Sequence, residues 1–160
     1  MMKTYVVGAL ALLLWLPFAC TEQPQSPPGV QQVSAPAPEI ELAVLMGRMQ
    51  LYMNKLYFAG IHNNEPLRDF YIHELEEIME DIRDGEVTHD GVDISTNIKL
   101  FGLDQLEVFE KAIENNEDFK ASYNIFVQAC NSCHMASKYP FIIIKEPTNP
   151  VFDNQVYEVQ

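Results

Sequence analysis

Residues 129–141 read ACNSCHMASKYPF, and within them Cys130 and Cys133 stand three positions apart with His134 directly after the second. Cysteine is a nucleophile and a soft metal ligand, and imidazole is the commonest protein ligand of metals. On a helix, positions three and four apart are neighbours, so the three side chains share one face. Two thiols so placed can form thioethers with the two vinyl groups of one haem, and the adjacent imidazole then lies under the iron. The C-x-x-C-H string is therefore expected to attach one covalent c-type haem, with His134 as an iron ligand.

Other uses of the same residues each lack something. A structural zinc site needs four ligands, usually from a second Cys/His pair, whereas His62, His73 and His89 are scattered and there is no second cysteine pair. A thioredoxin-like dithiol would sit beside a βαβ pattern, which is absent. A disulfide between Cys130 and Cys133 would strain a helix and staple almost nothing. His62 and His89 fall in loops and His73 on the flank of an apolar stripe, where a solvated or partly packed ring is expected. The acidic runs HELEEIMED and EKAIENNED read as solvated helix faces, and nothing resembles a nucleophile triad or a phosphate-cradling glycine loop. No bond-making catalysis is expected.

The elements that must position this motif show helical periodicity. A first helix is predicted from about Glu39 to Ile61, with Leu42, Met46, Met49, Met53, Leu56 and Gly60 as its stripe. Asn64 and Pro66 open a second helix, striped by Leu67, Phe70, Leu75, Ile78 and Ile82 and ended by Gly85. After a loop, GEVTHDGVD, a third runs from about Ser95 to Asn115 with Ile98, Phe101, Leu106, Phe109 and Ile113, weakened or bent at Gly102. Asn116 is expected to cap a fourth, striped by Phe119, Tyr123, Phe126, Cys130 and Cys133. Four amphipathic helices on short loops predict an all-α fold, an antiparallel four-helix bundle with the haem near the end of its last helix.

The chain outside the bundle sets its context. Residues 1–20 hold Lys3 and an uncharged apolar run from Tyr5 to Leu16, the pattern of an export signal and short for a membrane span. Ala19-Cys20 resembles the end of a bacterial lipoprotein signal, in which Cys20 becomes the lipid-modified first residue; simple cleavage nearby is the alternative. Residues 21–38 are proline-rich and poor in bulky apolar side chains, as befits a flexible tether. A periplasmic or otherwise exported protein, lipid-tethered if Cys20 is modified, is the expectation. With Lys3 removed, nine basic against 23 acidic residues leave a mature charge near −14. That argues against nucleic acid, whose phosphates demand a basic face.

A helical bundle with C-x-x-C-H near the end of its last helix resembles cytochrome c′, the class II cytochromes c. The string MQLYMNKLYFAG (residues 49–60) is similar to that family's first helix. The resemblance assigns residues 39–138 to a haem-binding bundle whose first helix carries the group on the far side of the haem. By position that group is Met49, with Met46, Met53 or an open site as alternatives. The resemblance also implies pairing as a homodimer, and a role for Lys138 against a haem propionate or the helix C-terminus. Thioether ligation raises the potential and implies an electron carrier serving redox partner proteins. An open iron would instead make a module that binds small gases such as NO or CO, and a peroxidase-like enzyme ranks last. Residues 139–160 depart from the family. Pro140, Pro147 and Pro150 rule out more helix, and Tyr139 to Ile144 are expected to lie irregularly across the proximal haem face.

Overall fold

The computed structural model describes residues 41–152 and 154–159. The expected export signal with Cys20, the 21–38 tether and the expected helix start at Glu39 lie outside the described residues. The fold is all-α apart from one minimal hairpin. Its helices are α1 (Leu42–Ile61), α2 (Glu65–Asp84), α3 (Ile94–Ile98), α4 (Asp104–Glu114) and α5 (Phe119–Ala136). A π-helical turn, Lys99–Leu103, joins α3 to α4, so the segment expected as one third helix is continuous but underwound at its centre. Gly102 lies in that turn, and a Cβ there would meet Met79 Sδ at 2.8 Å. Close packing on α2, rather than weak propensity alone, accounts for glycine at that position.

Helix ends follow local chemistry. Asn64 caps α2 by accepting from Leu67 N–H, with Pro66 in the first turn. Asn63, Glu86, Asn116 and Lys138 follow α1, α2, α4 and α5 with φ of 54°, 49°, 59° and 67°. After α1, α4 and α5 the next amide folds back, as in Asn64 N–H to Ala59 O at 3.0 Å and Tyr139 N–H to His134 O at 2.7 Å. Asn116 is thus the left-handed stop of α4, and the cap of α5 is Asp118, which accepts from Ala121 N–H. Asparagine suits either role, because its side-chain oxygen accepts from a first-turn amide and its short side chain tolerates left-handed backbone. The expected loop at residues 85–93 holds β1 (Thr88–His89) and β2 (Val92–Asp93), paired antiparallel around Asp90-Gly91. Both turn residues have positive φ, the geometry for which Asp-Gly is favoured in two-residue hairpins.

Packing follows the predicted stripes with one exception. α1 lies along α2, α4 along α5, and α5 meets α1. Leu56, Leu75, Met79, Ile82, Leu106, Phe109, Tyr123 and Phe126 are fully buried, each stabilising the fold by about 1.5–3 kcal/mol before entropy is counted. Phe109 stacks on Phe126, and the buried Tyr123 hydroxyl donates to Met53 O at 3.0 Å, tying α5 to α1. Phe70 is 51% exposed. The inward face of α2 turns through Tyr71 instead, whose hydroxyl accepts from Gln155.

Residues 139–152 and 154–159 carry no helix or strand but are packed. Tyr157 is buried against Phe58, Asn64 Nδ2 donates to Tyr157 O, and Asn54 bonds both Asn149 O and Val151 N–H.

Candidate functional site

The last two turns of α5 carry Cys130, Cys133 and His134 onto the wall of a cavity of about 640 Å³. Met46, Met49 and Met53 line the same cavity from α1, with Leu75, Met79 and Ile94 beside them. The C-terminal segment closes an edge with Tyr139, Ile142 and Ile144. The volume is in the range of about 300–1,000 Å³ usual for small-molecule and cofactor sites, and the lining is overwhelmingly apolar. Gly47 also lines it, and a Cβ built there would meet nothing within 4 Å. The structure therefore brings together Cys130, Cys133, His134 and all three candidate methionines.

Both cysteines are free thiols, Cys133 buried and Cys130 partly so. Burial pushes the Cys130 thiol up to about 12, helped by the neighbouring Cys133. Burial also raises Cys133, opposed by a hydrogen bond with Ser137. Two neutral thiols on an apolar wall are unlike an activated nucleophile, which needs a lowered pKa.

His134 Nδ1 stands 2.9 Å from the carbonyl oxygen of Ile142. A carbonyl only accepts, so the bond places a proton on Nδ1, and the matching neutral tautomer has its lone pair on Nε2. Orienting a metal-binding histidine by a carbonyl on its other nitrogen is a recurrent outer-shell device. Ile142 is held in turn. Asn131, one turn before His134, donates to Ile144 O at 2.9 Å and accepts from Ile144 N–H at 2.7 Å. Two residues on, Glu146 accepts from Tyr57 Oη and from Asn124 and pairs with Lys120 at 3.0 Å.

Several of these residues escape a reading by periodicity. Ile142, Ile144 and Glu146 act through backbone or at long range, and no spacing rule marks them. Asn131 is more visible, being an amide inside the motif and on the face shared with His134. His89, expected as a loop histidine, lines the cavity, with its ring 6.0 Å from that of Tyr139. His73 is exposed and lies 3.4 Å from Glu77. Lys138 donates to Asp90 O at 3.2 Å, and Tyr139 Oη to the Asp90 carboxylate, fastening the hairpin tip beside the motif.

Among the described residues no three His, Cys, Asp or Glu side chains converge as a ligand set for a bare ion. A haem brings four iron ligands of its own and asks the protein for an apolar slot, an axial nitrogen and, for the c type, two thiols. Cys130, Cys133, His134 and the methionine-lined wall could supply them. No described helix is long and apolar enough to cross a membrane. Comparison with protein-family models, with curated proteins and with solved structures finds no match.

Proposed function

We propose that this chain is a mono-haem c-type cytochrome that carries single electrons between redox partner proteins outside the cytoplasm. The observation that carries the reading is the convergence of Cys130, Cys133 and His134 with Met49 on one apolar cavity. Haem iron, when bound, supplies the one-electron couple between ferric and ferrous. Cys130 and Cys133 would hold the group covalently, and His134 Nε2 would be the proximal ligand. Met49, buried mid-helix on α1, would be the distal ligand, its thioether favouring the reduced form. The apolar walls from α1, α2 and the C-terminal segment would lower the polarity around the group and so bias the potential upward as well.

In this reading α1, α2, the α3–α4 unit and α5 form an antiparallel four-helix bundle of the cytochrome c′ kind, and residues 139–160 are an extension that departs from that family's pattern. Export by residues 1–20, tethering through Cys20 and pairing as a homodimer belong to the same proposal. With Cys130, Cys133 and His134 assigned to holding the haem, a carrier is our reading rather than an enzyme.

A second reading has one observation in its favour. The open space beside Gly47 leaves room for a small ligand on the α1 side, as a gas-binding module for NO or CO would need. Optical and magnetic-dichroism spectra of the haem-loaded protein and of Met49→Ala, with and without carbon monoxide, separate the two. The carrier reading expects a low-spin ferric form with a sulfur-to-iron band that the substitution abolishes. A high-spin ferrous form that binds carbon monoxide readily in both proteins would overturn it in favour of gas binding.

A further inference from the structure

Residues 141–146 form an extended rung-by-rung contact with α5. Ile142, Ile144 and Glu146 each bond an α5 side chain: His134, Asn131, and the Asn124–Lys120 pair. The intervening Phe141, Ile143 and Lys145 face solvent, the first two 75% and 74% exposed. Alternation with period two is what an extended chain produces, while 120, 124, 131 and 134 fall along one helix face. Pro140 and Pro147 bracket the segment and restrict its backbone. Only Asn131 grips the backbone of one residue at both its N–H and its C=O, as a neighbouring strand would. A shift by two residues would preserve the alternation but carry the Ile142 oxygen away from His134. The Asn131 amide therefore sets the register.

We infer that Asn131 is the positioning residue of this site: by locking Ile144 it holds the Ile142 carbonyl on His134 Nδ1 and thereby keeps Nε2 unprotonated and aimed as a ligand. This rests on His134 being the proximal ligand as proposed above. It also goes further, because it makes the C-terminal segment a working part of the site. An ordinary packing role would leave the ring proton and the iron potential where they are, and the inference does not.

The test uses the full-length chain, before and after haem attachment, as native, Asn131→Ala and Asn131→Asp proteins. Nitrogen-15 NMR of the His134 ring reads which nitrogen holds the proton, and redox titration reads the potential. The native ring is expected to hold its proton at Nδ1. In Asn131→Ala the majority tautomer should move to Nε2–H, and the loaded protein's potential should rise, because a less anchored imidazole is the weaker donor. Asn131→Asp keeps the acceptor for Ile144 N–H and should lie between the two, and it carries both readouts should the alanine variant fail to fold. A native-like tautomer and potential in the variants, with only the melting temperature lowered, would overturn the inference. Absence of covalent haem from the native protein would defeat the proposed function instead, and the ring proton would still decide the clamp.

Discussion

The Tyr57 hydroxyl donates to the Glu146 carboxylate at 2.5 Å, joining α1 to the C-terminal segment across 89 residues of chain. With Lys120 on the same oxygen and Asn124 on the other, that bond holds the Glu146 carboxyl down to about 2 from its ordinary 4.5. A carboxyl whose folded pKa is depressed contributes stability fully above its unfolded value and loses it as pH falls through the folded one. The segment is therefore expected to stay clamped at pH 5 and above and to loosen between about pH 4 and 2. Acid-active protease digestion should cut residues 147–158 increasingly through that window. Glu146→Gln should be cut more readily already at pH 5 and lose the pH dependence; an unchanged profile in the variant would remove Glu146 as the acid-sensitive latch.

Gly60 sits where α1 meets the start of α5, and a Cβ there would fall inside the ring of Phe119. Gly60→Ala gains helix propensity of roughly 1 kcal/mol but must displace a ring packed between Phe109 and Tyr123. Overpacking of this kind costs about 1–3 kcal/mol. Urea denaturation should show a net loss of stability, and Gly60→Ala combined with Phe119→Leu should recover part of it. A stabilised single variant would show that the ring has room to move.

Lys138 ends α5 at φ 67°, a conformation that costs a side-chain-bearing residue about 1–2 kcal/mol. Lys138→Gly removes that cost and returns about 0.5–1 kcal/mol to the unfolded chain. A gain near 1 kcal/mol in chemical denaturation is expected, with Tyr139 N–H still folded back on His134 O. A loss would mean that the Lys138 bond to Asp90 O outweighs the backbone term.

The motif and the helical stripes were legible because both are local. Cys130, Cys133 and His134 declare their chemistry by type and spacing, and Met49, Leu56, Leu75 and Tyr123 recur at the period of a buried helix face. The C-terminal clamp was not legible. Asn131 and Glu146 are ordinary polar residues whose partners lie 13 and 89 positions away, and a backbone carbonyl such as that of Ile142 leaves no mark on sequence. Phe70 misled because its spacing from Leu67 matches a helix stripe, while Tyr71 fits the same turn and brings a hydroxyl that Gln155 can use. The Asp90-Gly91 hairpin was visible in principle, since that dipeptide favours positive φ at both positions. The strands beside it are only two residues long and show no alternation.

The most direct test of the central claim is the intact mass and reduced absorption spectrum of the denatured protein, produced in a host that attaches c-type haem. One haem is expected to stay with the chain after denaturation and acid extraction, and to be lost when Cys130 and Cys133 are both replaced by alanine. A native chain whose mass is that of the polypeptide alone, or a haem that washes out unchanged by the double substitution, would contradict it.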